Sequence, residues 1–260
     1  RYMSLERPIN ADPDLPAPLR AALEAALQGP PQRVQRVAAG GRAVWLKQAE
    51  QLSLRWRLQK GDTRRAFEAD REGLHDLEAL GLPVAHVVAE GPDFFATDEV
   101  GVQIAHLLRS PDLGGPGRIV ACRAAGAALG ALHRAGVAHG RPSIRDICWD
   151  GQAARFIDLE RYRRGQGGQA AMALDVLILL HSMFAITRAP APEIDAALDG
   201  WRAVAPKGVW PTVQRRAARA RWLGWLARQI LRLRPQSREL GAIPLVLDWI
   251  DRQGRDTATP

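Results

Sequence analysis

In the stretch Leu132-His133-Arg134-Ala135-Gly136-Val137-Ala138-His139-Gly140-Arg141, an Ala-rich helix that begins near Arg118 is closed by Gly136 and gives way to a broken, polar segment reaching Arg163. Two strand fragments stand inside that segment, Asp146 to Trp149 and Ala154 to Ile157, and the Asp150-Gly151 between them signals a tight hairpin. The second fragment runs directly into Ile157-Asp158-Leu159-Glu160. Toward the C-terminus, helical periodicity covers Gln169 to Thr187, Pro192 to Val204, Thr212 to Leu233 and about Pro244 to Gln253. Toward the N-terminus the pattern is mixed. Arg1 to Leu15 reads as a Pro- and Asp-rich arm, and a short helix over Pro16 to Leu27 is ended by Gly29-Pro30-Pro31. Strands over Arg33 to Ala38 and Arg42 to Gln48 flank Gly40-Gly41, and a long helix from Thr63 to Leu80 stops at Gly81. Further strands follow at His86 to Ala89 and Phe94 to Val100, and then a helix start at Ile104 to Leu108. Strands first and helices after predict an α+β protein of two lobes rather than a βαβ sheet. Residues 1–99 form the strand-rich lobe and 100–260 the helical one, with 137–163 as its loop region. The junction Glu99 to Val102 is a candidate hinge whose cleft is the default ligand site, with Glu99 and Gly101 as candidate contacts.

The composition narrows the function. With 260 residues, 47% apolar and 25% charged, the chain is neither disordered, collagenous nor a coiled coil. At this length it buries roughly 70–75% of its extended surface and needs no disulfide or structural metal. Two cysteines, Cys122 and Cys148, suit a reducing compartment. The longest apolar run, Met172 to Ile186, is interrupted by Asp175 and His181, short of membrane-spanning length. With no secretory apolar region at the N-terminus, the expectation is a soluble cytoplasmic protein. The net charge is +8, and only Lys47, Lys60 and Lys207 are lysines, which leaves 33 arginines. Five Phe and two Tyr, with no basic block interleaved with stacking aromatics, argue against a nucleic-acid partner. Lysine scarcity also makes Lys47, after Val44-Trp45-Leu46 on an apolar strand, conspicuous.

The ordered set of parts resembles the protein-kinase-like fold, and most of all the bacterial lipopolysaccharide kinases that phosphorylate Kdo or heptose sugars. The resemblance rests on Lys47, Arg71-Glu72, Leu80-Gly81-Leu82-Pro83-Val84, Leu132 to Arg141 and Ile157-Asp158-Leu159-Glu160, over roughly Arg33 to Leu180. It implies a phosphotransferase that uses ATP and Mg²⁺ and acts on a sugar hydroxyl of a lipopolysaccharide core or another lipid-linked acceptor. Phosphoryl transfer calls for cations on the triphosphate and little covalent work from the protein. By this resemblance Lys47 meets the α and β phosphates and Glu72, with Glu68 as the alternative, fixes its ammonium. Glu99 and Gly101 face the nucleotide, and Asp146 and Asp158 hold Mg²⁺ through oxygen ligands. Glu160 either assists the metal or pairs with a nearby arginine. Asp175, costly inside an apolar helix unless hydrogen-bonded, is expected to anchor the loop backbone.

Two departures from the family pattern bear on activity. Counted from His139, the position of the kinase base holds Arg141, and that of the metal-binding Asn holds Asp146. A guanidinium has no acceptor lone pair and does not deprotonate, so Arg141 is no general base. It suits an anionic acceptor group instead, with Asp146 left to receive the hydroxyl proton. Leu27 to Ala39 also lacks a Gly-rich phosphate loop, which predicts weak ATP binding. A pseudokinase that binds nucleotide and serves as a regulator or scaffold is the alternative reading, and nucleotidyl transfer to protein is a third. His133 and His139 read as structural, and the other four histidines carry no signal. The segment Thr212 to Leu233, with Arg234 just beyond, holds seven arginines and no acid. Its stripe of Trp222, Leu223, Leu226, Ile230 and Leu233 is expected to pack on the helical lobe, the alternative being peripheral contact with a membrane.

Overall fold

The computed structural model describes residues 9–49, 63–110 and 114–256, apart from the side chains of 255 and 256. Contacts divide it into two units, 1–100 and 101–260. It is α+β, with a five-stranded antiparallel sheet and helices in the first unit and mostly helix in the second.

In the N-terminal unit, Gly40 and Gly41 both take positive φ, the requirement of a two-residue hairpin turn, and join β2 (Val34–Ala39) to β3 (Arg42–Gln48). The register runs from Ala39 opposite Arg42 to Val34 opposite Lys47. With β4 (Val87–Gly91), β5 (Phe94–Asp98) and β1 (Asn10–Ala11), the sheet order is β1-β4-β5-β3-β2. Period-two alternation then sorts β3: Val44, Leu46 and Gln48 are buried, whereas Trp45 and Lys47 point the other way. Helix α1 (Ala17–Gln28) sets Leu19, Leu23 and Leu27 one turn apart, and they pack with Val37, Val44, Leu46, Val88, Phe94 and Ala96. Each such leucine contributes about 2 kcal/mol relative to exposure. Helix α2 (Thr63–Ala79) buries Phe67, Asp70, Leu74 and Leu77, and Phe67 meets Phe95 at 5.1 Å between ring centroids.

The arm read over Arg1 to Leu15 is only partly an arm. Residues 1–8 lie outside the described residues, but Asn10 and Ala11 pair with Glu90 and Ala89, and Leu15 enters the core. A two-residue strand is too short to carry a period, so its pairing is invisible in sequence.

The C-terminal unit opens with β6 (Val102–Gln103) and α3 (Ile104–Leu107), and β6 pairs with the hairpin of β7 (Ile147–Trp149) and β8 (Ala154–Phe156). Helix α4 (Gly115–Arg134) crosses α6 (Pro192–Val204) through glycines: a Cβ on Gly126 would lie 1.8 Å from the Ala197 carbonyl oxygen, and one on Gly200 2.0 Å from that of Arg123. Helix α5 (Gln169–Thr187) is, against expectation, long and apolar enough to cross a membrane by length and composition. Here it is a core helix, with Met172, Val176, Leu179, Leu180, Met183 and Phe184 buried and contacts to α6, α7 and α9. Both cysteines are buried thiols outside any disulfide, and burial pushes the Cys122 thiol up to about 12.

The single helix expected over Thr212 to Leu233 is two, α7 (Val209–Arg219) and α8 (Arg221–Leu231), broken at Ala220. The break lets α7 pack on α5 while α8 lies on α9 (Arg238–Asp256). Helix α9 begins well before the expected start at Pro244, which sits in its interior. Apart from the half-buried Ile230, the apolar stripe read in the Arg-rich segment does not pack inward. Gly224 and Ala227 are the buried residues of α8, and Trp222, Leu223, Leu226 and Leu233 are exposed.

Candidate functional site

Lys47 reaches from β3 toward α2, where its Nζ donates to Oδ2 of Asp70 at 2.6 Å and lies 5.5 Å from the centroid of the Phe95 ring. The Asp70 side chain is 3% exposed and that of Lys47 18%. A carboxylate so deeply buried is costly unless paired, so the ion pair ties strand to helix. Glu72, expected as the lysine's partner, is exposed. The reason is helical geometry: two residues past Asp70, it falls on the opposite side of α2. Glu68 is also engaged elsewhere, with Arg71 one turn on and with Arg64 at 3.8 Å. Asp70 escaped a reading guided by the Arg71-Glu72 pair. Its own signal was present, an acid at helical spacing within the apolar stripe Phe67, Leu74, Leu77.

The loop after α4 is held from α5. Asp175 is 1% exposed, and its Oδ2 accepts the His139 N–H at 2.7 Å while Oδ1 accepts the Gly140 N–H at 3.0 Å. His133 lies behind it: the Trp201 indole donates to Nδ1 at 2.9 Å, which leaves the imidazole proton on Nε2, 3.3 Å from Asp175 Oδ2. The loop-anchoring role expected of Asp175 is the one it takes. The Arg141 N–H in turn meets Nδ1 of His139 at 3.4 Å, so three successive amides are bound without use of the Arg141 side chain, which is exposed. His139 packs against Phe156 at 4.7 Å, and its Nε2 is buried with no partner among the described residues. Burial pushes its pKa down to about 4, with the carboxylates of Asp175 and Asp158 opposing more weakly.

The hairpin brings the backbones of residues 146 and 158 near each other. The Ile157 N–H donates to the Asp146 carbonyl at 2.9 Å, one step beyond the Ile147 to Phe156 pair, so residue 158 leaves β8 next to residue 146. Oδ1 of Asp158 accepts the Glu160 N–H at 3.1 Å. Among the described residues no group of three or more His, Cys, Asp or Glu could hold a metal ion by itself. The carboxylates of these two residues offer only oxygen, the donor a hard cation takes, and leave water and phosphate oxygens to complete its shell. A cavity of about 280 Å³ adjoins Asp146 and is lined by Arg141, Ser143, Arg145, His181, Ser182 and Glu239 among others.

The two junction residues have other occupations. The Glu99 carboxylate accepts two bonds from Arg36, 2.6 Å from Nε and 2.9 Å from Nη2, and that guanidinium holds its pKa below the usual carboxylate range. Gly101 has φ +96°, and a Cβ there would lie 2.2 Å from the Trp149 carbonyl oxygen, which accounts for glycine by geometry. Among the histidines set aside, His86 is bridged by Glu78 on one ring nitrogen and Asp12 on the other.

No family model matches the chain. An uncharacterized protein of Haemophilus influenzae is 28% identical over 152 residues, which make up 58% of this chain and 63% of that protein. The match thus spans somewhat less than two thirds of that relative's length.

Proposed function

We propose that the chain has a protein-kinase-like fold and is an ATP- and Mg²⁺-dependent phosphotransferase acting on a sugar hydroxyl, with a lipopolysaccharide-type or other lipid-linked sugar as acceptor. The observation that carries this reading is the loop clamped by Asp175, followed by a hairpin whose Ile157 to Asp146 backbone bond sets residue 158 near residue 146. The Lys47–Asp70 pair supports it independently, as a strand cation oriented by a buried helix carboxylate. In this reading Lys47 holds the α and β phosphates, and Asp70 takes the part that the resemblance gave to Glu72. Asp146 and Asp158 are the residues that hold the cation. Mg²⁺ bound there neutralises charge on the phosphate oxygens as it develops during transfer. Arg141 and Arg145, both at the cavity beside Asp146, suit a carboxylate or phosphate on the acceptor. In this reading the Asp146 carboxylate, which shares that cavity with His181 and Glu239, takes the proton of the acceptor hydroxyl.

A second reading, nucleotide binding without transfer, is favoured by one feature: a guanidinium at the position of the base. General-base assistance is worth about 10²- to 10⁴-fold in rate, so its loss slows transfer without abolishing it if the phosphates are still positioned. The assay is transfer from γ-labelled ATP to a Kdo-lipid acceptor with Mg²⁺, run beside Lys47→Ala and Asp158→Ala. Label on the acceptor with the parent and loss with both variants is the expected result. A thermal shift by ATP and Mg²⁺ without label transfer selects the non-catalytic reading, and no shift at all removes both.

A further inference from the structure

Helix α8 is inverted relative to an ordinary packed helix. Its small residues face the protein: Gly224 and Ala227 are buried, and a Cβ on Gly224 would lie 3.3 Å from Cδ1 of Leu247 on α9. Its large apolar residues face outward, with Trp222 and Trp225 each 62% exposed, Leu223 and Leu226 39%, and Leu233 just beyond the helix 86%. Trp222, Trp225 and Leu226 recur at helical spacing and share the face opposite Gly224 and Ala227. Such a contiguous apolar face marks a contact surface on a folded protein. Around it stand exposed Arg215, Arg216 and Arg219 of α7, Arg221 at the start of α8, and Arg232 and Arg234 after it. Arg228 is committed to Asp248 of α9 at 2.6 Å. No acid occurs from 212 to 234, so the surface is apolar at its centre and cationic at its rim.

We infer that α8 docks the protein on an anionic lipid bilayer, Trp222, Trp225 and Leu226 entering the boundary between headgroups and acyl chains while the surrounding arginines meet lipid phosphates. Charge complementarity selects this occupant. A second copy of the same face would bring two arginine clusters together with no acid from 212 to 234 to offset them, and Asp248 of α9 is already paired with Arg228. Tryptophan, with an apolar body and a polar N–H, suits that boundary, and a short helix lying in its plane needs only a one-sided apolar face. The arginines add attraction that salt screens. This inference does not depend on the proposed phosphotransfer and is tested without nucleotide.

The full chain is floated with vesicles of phosphatidylethanolamine and phosphatidylglycerol, and separately with phosphatidylcholine alone. The parent is expected to float with the anionic vesicles only, less at high salt. Trp222→Ala/Trp225→Ala and, separately, Arg215→Gln/Arg216→Gln/Arg219→Gln/Arg221→Gln are each expected to weaken flotation at least about tenfold. Both variants change exposed side chains, and an unaltered circular dichroism spectrum confirms that they fold. A parent that stays with the soluble fraction overturns the inference, as does flotation unaffected by the tryptophan changes. A parent that is dimeric by light scattering and becomes monomeric in the tryptophan variant overturns it in favour of a second copy.

Discussion

Asp70 is an acid in an apolar stripe, and its partner Lys47 is one of three lysines in the chain. Lysine scarcity made the cation legible. The carboxylate was missed because the Arg71-Glu72 resemblance outweighed the helical period, which puts position 70 and not 72 beneath the sheet. The pair predicts a particular pattern of stability. Lys47→Met removes the cation paired with a nearly inaccessible carboxylate and is expected to cost about 2–4 kcal/mol in urea unfolding, less than a fully buried pair because Lys47 keeps some exposure. Lys47→Met/Asp70→Leu is expected to recover most of that loss, since an apolar pair of similar volume carries no desolvation penalty. If the lysine serves a nucleotide, the double variant is stable yet loses the thermal shift by ATP. Failure of the double variant to recover would mean that packing, not charge, governs the site.

Among the elements, the contact of α4 with α6 is set by what glycine lacks. In an isolated helix Ala is better than Gly by about 1 kcal/mol. At Gly126 the sign reverses, because the added methyl would meet the Ala197 carbonyl at 1.8 Å and force two backbones apart. Gly126→Ala is expected to lower stability by about 2–4 kcal/mol. Gly241→Ala on α9, where nothing lies within 4 Å, is expected to raise it by roughly 0.5–1 kcal/mol. Thermal melts of the two variants against the parent measure both signs. The close packing of the Ala-rich helix and the full spans of α5 and α6 were legible in sequence, α5 as a long apolar run and α6 from its helical periodicity and the proline at its start. The break at Ala220 was not. Small residues at 213, 217, 220, 224 and 227 keep one helical period through it, so only packing against two different helices reveals the division.

Across the whole molecule, pH acts on the two units in opposite senses. His139, in 101–260, titrates near 6.5 when unfolded and at about 4 when folded. Between those values the unfolded chain binds a proton that the native chain refuses. Stability present above about pH 6.5 is therefore lost as pH falls toward 4, by up to about 3 kcal/mol. His86, in 1–100, behaves in reverse. Burial disfavours its charged form, but Asp12 and Glu78 prevail and raise its pKa. Its contribution is complete below the unfolded value and fades as pH rises through the folded one. Hydrogen exchange at pH 7 and pH 5 is expected to show the helical unit loosening in acid and the sheet unit tightening, with His139→Gln and His86→Gln each flattening one trend. The segregation of strands from helices was readable from the order of periodic segments, whereas the bridge from Asp12 to His86 joins distant residues with no signal at either, and the bridge from Asp175 was expected as an acid in an apolar helix. The latter bridge has a consequence for how chemistry is carried. Because α5 and His139 grip the backbone at positions 139, 140 and 141, the side chain mounted on the last of them is an exchangeable fitting, and a carboxylate installed in place of the guanidinium would inherit the same socket without any rebuilding of the frame.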